Sequence, residues 1–412
     1  EGVRQVFGHF SMNGEKHEKG EMTPFQSIAT AIAAQVGTGN LAGAATALIG
    51  GGPGAIFWMW VSAFLGMATI YGEAVLAQTY KTEVNGEVTG GPVYYIKAAF
   101  KGTFGKALST LFAVFIILAL GFMGNMVQSN SIGAAFVEAF QVFHVELSPV
   151  IVGIVVAVIA AVIFLGGTKS LATVVEKIVP IMAGCYFVIT LFIIATHLSS
   201  VPGVFARIFA EAFGLRQIAA GGFGAVLMNG VKRGLFSNEA GSGSAPCAAA
   251  AAEESNPVKV GLVQALGVFI DTIVICSCTA MIMLLVPEEL TTGLVGMDLL
   301  QKVMSYYMGE FGVVFIAVTL ALFSFSTFLG ILFYARSNVA YLFGNRWIYQ
   351  TLYKIFALIM LFVGGLQAYT VVWDLGDVGV GLMTVFNLIV LFPLSGEALR
   401  ALKEYEEKKT NK

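Results

Sequence analysis

Apolar residues run through this chain in long blocks separated by short polar loops. Ten blocks approach or exceed the roughly 20 mostly apolar residues that a membrane-spanning helix needs. They cover residues 25–50, 55–80, 107–140, 147–166, 169–198, 217–252, 257–287, 308–345, 350–366 and 370–396. Two shorter apolar stretches, 91–100 and 293–308, cannot span and are expected along the interface. The last residues, EALRALKEYEEKKTNK, read as a charged helix leaving the lipid.

Composition supports this reading. Hydrophobic residues make up 57 % of the chain and charged residues 12 %. A soluble domain carries about 25 % charged residues, so this chain cannot coat its surface for water and must face lipid. A net charge of −2 offers no electrostatic case for nucleic acid. The cysteines Cys185, Cys247, Cys276 and Cys278 lie in apolar surroundings, and no H-E-x-x-H or C-x-x-C motif occurs. The opening EGVRQVFGHF lacks the apolar core of a signal peptide. Lys and Arg concentrate in alternate loops and in the tail, whereas the other loops hold only Arg207, Arg216 and Lys302. By the positive-inside rule both termini are expected in the cytoplasm.

The sequence also matches itself at a shift of 204 residues. VGTGNLAGAATA, 36–47, falls on AGSGSAPCAAAA, 240–251, and Pro53 falls on Pro257. The same shift carries the first five apolar blocks onto the second five. Five is odd, so the second set starts from the opposite face. The expected fold is an all-α membrane protein of about ten transmembrane helices, arranged as five-plus-five inverted repeats. The first repeat takes 1–204, the second 205–396, and the cytoplasmic tail 397–412.

In secondary transporters built from inverted repeats, glycine-interrupted segments at matching positions mark the binding site near the bilayer midplane. GTGN in the first block and GSGS in the sixth are such a pair. Glycine in a helix interior costs about 1 kcal/mol relative to alanine, which favours local unwinding. Freed N–H groups there can hold a carboxylate, and freed C=O groups an ammonium or a sodium ion. An amino acid needs both. Close helix packing is the other reading of these glycines. A dinucleotide loop would need a preceding strand, and GGGPGA at 50–55 lacks the G-K-[ST] of a phosphate loop.

Other polar residues lie deep in apolar blocks. Ser324, Ser326 and Thr327 either back-bond to their own helix or serve sodium, a hard cation that takes oxygen ligands. Asn125 and Gln128 either pair between helices or contact substrate. Asp271 and Glu239 are buried acids, each open to a functional or a structural reading. Lys232 and Arg233 precede the sixth-block break, and Asp374 and Asp377 begin the tenth block on the same outer side. An ion pair between the two sets, Arg233 with Asp374 foremost, is a candidate outer gate.

TPFQSIATAIAAQVGTGNLAGAATALIGGGPGAIFWMW at 23–60 resembles the alanine/glycine:cation symporter family. So do TGGPVYYIK at 89–97 and NGVKRGLFSNEAGSGSAPCAAAAAE at 229–253, and the similarity covers nearly the whole chain. Members of that family carry a further hydrophobic helix ahead of the segment resembling EGVRQVFGHF. The five-plus-five core does not need it. The resemblance implies the leucine-transporter (LeuT) fold, because VGTGN looks like the V-G-x-G-N of the first core helix in neurotransmitter:sodium symporters.

By that resemblance, the N–H groups of Thr38 and Gly39 hold the substrate carboxylate, with Gln128 nearby. The carbonyls of Ala33 and Val36 join Ser326 and Thr327 around one sodium ion, and Asn40 serves a second. Phe236 walls the pocket, and Asn238 to Gly241 offer carbonyls to the ammonium. The expected function is sodium-coupled symport of alanine or glycine by alternating access, at the plasma membrane, with no organic cofactor. A proton in place of sodium, carried by Asp271 or Glu239, is the alternative driver. A channel would show a continuous polar pore, and an enzyme a nucleophile with its base. Neither pattern is present in the sequence.

Overall fold

The computed structural model describes residues 35–84, 87–165, 168–213, 222–252 and 256–410. Nearly all of the regular structure is helical. The described part of the first apolar block ends in α1 (Ala44–Gly51), and α2 (Gly54–Thr79) follows. A two-stranded antiparallel hairpin, β1 (Thr82–Val84) and β2 (Glu87–Thr89), leads into α3 (Pro92–Ala99). Then come α4 (Gly102–Gln141), α5 (Pro149–Leu165), α6 (Thr168–Thr196) and α7 (Val201–Glu211). The second half holds α8 (Gly222–Asn238), α9 (Ala245–Ala250), α10 (Pro257–Leu284) and α11 (Gly296–Met308). It closes with α12 (Glu310–Phe343), α13 (Trp347–Gly365) and α14 (Tyr369–Thr410).

Among the described residues, α2, α4, α10, α12, α13 and α14 are each long and apolar enough to cross a bilayer. The Ile181–Thr196 part of α6 meets α7 at a 101° bend. Large apolar side chains such as Phe64, Val162, Phe192 and Phe392 point outward, as lipid-facing positions should. The short stretches 91–100 and 293–308 correspond to α3 and α11.

Three features differ from the pattern reading. The hairpin was not foreseen, although Asn85–Gly86 between its strands is a strong two-residue hairpin signal. Helix α7 lies where a loop was expected. The tenth block and the tail form one continuous helix, α14, because EALRALKEYEEKK is itself a good helix-forming run.

Two features position the interior. Helix α8 packs tightly on α2, and a Cβ added at Gly230 would lie 2.5 Å from the Ala55 carbonyl oxygen. Small residues allow this kind of close approach between membrane helices. In addition, among the described residues the helical ladder widens to π-type in three places: Gly39–Gly43, Ile117–Gly124 within α4, and Phe269–Cys276 within α10. Such segments often mark functional sites.

Candidate functional site

The first apolar block bends at Val36 and Gly37, and its π segment begins at Gly39. The sixth block stops at Asn238 and resumes at Ala245. Between those points Glu239, Gly241 and Gly243 take positive φ values of 56°, 86° and 84°. The helix therefore reverses its local hand, and glycine accepts this freely. The two interruptions touch. A Cβ on Gly39 would lie 2.9 Å from the Ser237 Cα.

A small cavity opens beside this crossing. Gln35, Gly37, Thr38 and Gly39 line it from the first block, and Ala119, Leu120, Gly124 and Gln128 from α4. Phe236 and Glu239 close it from the α8 side, Thr327 and Ile331 from α12, and Gly376 and Val380 from α14. Thr38, Gly39, Gln128, Phe236 and Thr327, all expected at a site, therefore meet at one cavity.

A hydroxyl relay orders one wall. Thr38 Oγ1 donates to Gln128 Oε1 at 2.5 Å, and Ser324 Oγ lies 2.9 Å from the same Thr38 oxygen. A hydroxyl has one proton to give, so Ser324 donates to Thr38 and Thr38 to Gln128. The amide Nε2 of Gln128 remains as a donor for the cavity. Ser326 and Thr327 both donate back to the Phe323 carbonyl, at 2.7 and 3.0 Å. Each oxygen keeps acceptor capacity after that bond. Thr327 faces Gly37 so closely that any side chain there would collide with its hydroxyl.

On the other side of the crossing, Asn40 accepts from the Gly37 N–H at 2.8 Å. Its amide donates to Asp271 Oδ1 at 2.7 Å. Ser237 and Thr272 donate to Asp271 Oδ2 at 2.7 and 2.8 Å. The sixth-block loop has its own anchor, Glu73 on α2. Its carboxylate accepts from the backbone N–H groups of Gly241 and Gly243, both at 2.9 Å, and from Asn387 Nδ2. Tyr95 in turn donates to Asn387 Oδ1. Glu73, Glu239 and Asp271 are all buried, and among the described residues none has a cationic partner.

An aromatic and ionic plug stands next to the cavity. The ring of Phe236 lies 4.9 Å from that of Trp373, and the Arg233 guanidinium sits 4.8 Å over Trp373. Arg233 pairs with Asp377 at 2.5 Å, and Lys232 approaches the same carboxylate at 3.6 Å. The expected Arg233–Asp374 pair does not form. Asp374 is exposed, and the half-buried Asp377 sits one turn further along α14, where Arg233 reaches it.

Some sequence-predicted residues do not face the cavity. Asn238 donates to Thr272 Oγ1 and caps the Ala240 N–H, so its side chain turns toward α10. A Cβ on Gly241 would meet Thr69, Leu388 and Thr384, away from the cavity wall. Asn40 and Ser326 are buried beside the crossing but outside the cavity lining, and Val36 is buried at the bend. Ala33 lies outside the described residues. Conversely, Gln35, Glu73 and Asn387 were not singled out by pattern. Glu73 did carry a signal, as a lone acid inside an apolar block.

A multi-helix apolar bundle with a cavity beside two interrupted helices defines a multi-pass membrane transporter. The chain belongs to the sodium:alanine symporter family, which matches it over residues 2–412. It is 40 % identical over 402 residues to the amino-acid carrier protein AlsT of Bacillus subtilis, covering 97 % of this chain and 84 % of that protein. It is also 40 % identical to the sodium/alanine symporter AgcS of Methanococcus maripaludis, over 98 % of this chain and 88 % of that one. In fold it is similar to a manganese transporter of Eremococcus coleocola, with a TM-score of 0.60, 12 % identity and coverage of 93 % and 81 %.

Proposed function

We propose that this chain couples the inward movement of sodium to uptake of alanine or a similarly small neutral amino acid, by alternating access in the plasma membrane. The observation that carries this reading is the chemistry of the cavity. The lining brings the backbone of Thr38 and Gly39, just past the bend at Val36 and Gly37, together with the Gln128 amide. The same lining includes the acceptor Glu239 and the apolar Ala119, Leu120, Phe236, Ile331 and Val380. A zwitterion with a small side chain matches that layout. Sodium:alanine symporter is also the description of the family.

Sodium takes the carbonyls of Val36 and Ala33 with the hydroxyls of Thr327 and Ser326, and Asn40 serves a second ion. Thr327 beside Gly37 supports the first assignment. Arg233 and Asp377, with Lys232 at the same carboxylate, act as an outer gate that opens when α14 swings away from α8. The fold is read as LeuT-like, with five-plus-five inverted repeats over 1–204 and 205–396 and a cytoplasmic N-terminus and tail. The shift of 204 residues supports this, since it carries α2 onto α10 and α4 onto α12. One inward charge contributes about 2.3 kcal/mol at −100 mV, enough for roughly fifty-fold accumulation before the sodium gradient is counted.

The test is uptake of radiolabelled alanine into proteoliposomes with sodium and pH gradients imposed separately. Saturable uptake that follows sodium is expected. The three buried carboxylates without cationic partners give the proton its best case as driver. Uptake that follows pH and ignores sodium would replace the present reading with that one.

A further inference from the structure

Among the residues lining the cavity, Glu239 alone carries an acidic or basic side chain. It is 7 % exposed. Among the described residues only Ser244 donates to its carboxylate, at one oxygen, Oε2. No Lys, Arg or His there pairs with it. A carboxylate out of water is costly unless a cation or several donors compensate it. Its backbone adds a second observation, a φ of 56°. A non-glycine residue in that region costs of order 1–3 kcal/mol and persists where the surrounding structure enforces it, often at binding sites. Glycine would sit there unstrained, yet the chain carries a carboxylate.

Gln35 adds a third. It lines the same cavity, is 3 % exposed, and both its amide oxygen and its amide nitrogen lack a hydrogen-bond partner. Buried polar atoms of this kind are uncommon and call for a missing ligand or water. Thr38, Gly39 and Gln128 line the same cavity, and Thr38 is hydrogen-bonded to Gln128.

We infer that Glu239, with Gln35 on the same cavity, forms the subsite for the ammonium group of the transported amino acid. The strained backbone turns the carboxylate into the cavity, and Ser244 holds one oxygen so that the other meets the ligand. This rests on the reading of the cavity as an amino-acid site. It goes beyond that reading by giving the positive end of the substrate a full counter-charge rather than backbone carbonyls.

The test uses the full chain in proteoliposomes under a fixed sodium gradient. Unlabelled alanine, lactate and propionate compete with radiolabelled alanine, for the wild type and for Glu239→Gln and Glu239→Asp. Lactate and propionate keep the carboxylate and the small side chain but lack the ammonium. A hydrogen bond to a charged group contributes roughly ten- to a hundred-fold in affinity. Glu239→Gln is expected to lose alanine affinity by that factor, with Glu239→Asp in between. The weak competition by lactate and propionate should stay unchanged, as should the sodium concentration for half-maximal uptake. Alanine affinity within about twofold of wild type in Glu239→Gln would overturn the inference. So would a loss confined to sodium activation, which would make Glu239 an ion ligand instead. If neither variant folds, the wild type still decides, because lactate competing as well as alanine leaves no role for a counter-charge. A wild type that takes up no small neutral amino acid sinks the parent reading as well, whereas a working wild type with an indifferent Glu239→Gln sinks this one alone.

Discussion

Asn40 and Asp271 are joined side chain to side chain at 2.7 Å, although 231 positions separate them along the chain. The contact ties the π segment after the first break to the π segment of α10. Ser237, at the end of α8, donates to the same carboxylate. One buried acid thus fastens both interrupted blocks to α10 using neutral donors only.

Replacing Asp271 with Asn keeps the size but leaves one oxygen where the carboxylate had two. At least one of the donors Asn40, Ser237 and Thr272 then loses its acceptor. A buried unsatisfied donor costs about 1–3 kcal/mol. Asp271→Asn should therefore lower the unfolding midpoint of the purified protein and reduce uptake by about tenfold. Asp271→Ala should be worse. Wild-type melting and uptake in Asp271→Asn would remove this network from the account.

The Arg233–Asp377 plug gives a contrast between two aspartates one turn apart. The side chains of Arg233 and Asp377 are 5 % and 11 % exposed. Removing one partner of such a pair strands a buried charge, at a cost of about 3–5 kcal/mol. Arg233→Ala and Asp377→Ala should each lose most uptake, and the swapped double variant Arg233→Asp/Asp377→Arg should recover part of it. Asp374→Ala, in an exposed position, should transport like wild type. Equal damage from Asp374→Ala and Asp377→Ala, measured as initial uptake rate per folded protein, would contradict the pairing.

That contrast also marks where the sequence could be read and where it could not. Residues 374 and 377 fall three apart on one helix, so helical spacing alone puts both within reach of Arg233. The choice comes from packing, with Trp373 under the guanidinium and Gly376 against Phe236. The glycine pairs were legible because glycine repeated inside apolar blocks is a local signal. Of the cavity residues, Thr38, Gly39, Gln128 and Phe236 were implied by the family resemblance, and Thr327 by its place in a cluster of hydroxyls deep in an apolar block. Glu73 and Asn387 were not found, since their partner is the backbone of a loop on a distant block. Gln35 was missed because a neutral amide beside a glycine motif stands out only when its neighbours prove unable to pair with it.

Thr327 offers a test of the sodium assignment. Its hydroxyl already donates to Phe323, so it can serve an ion only as an acceptor. Thr327→Ser keeps that oxygen, and Thr327→Ala removes it. The alanine variant should need about tenfold more sodium for half-maximal uptake at similar expression, and the serine variant much less. Unshifted sodium curves in both variants would move the ion elsewhere.

Gly39 and Gly241 sit at the two breaks, yet they should fail for different reasons. A methyl group on Gly39 would press against the Ser237 backbone at 2.9 Å, and backbone cannot rotate aside as a side chain can. Gly39→Ala should therefore separate the two interrupted blocks and abolish uptake and alanine binding together. At Gly241 the surrounding space is wider, with Thr69 Cγ2 nearest at 3.3 Å, but φ is 86°. Alanine there is strained by about 1–2 kcal/mol. Gly241→Ala should melt several degrees lower while the surviving folded protein binds alanine within about twofold of wild type. Binding measured per folded molecule separates the two cases. A large loss of affinity in Gly241→Ala at unchanged stability would return Gly241 to the cavity wall, against the direction its Cβ position takes in this fold.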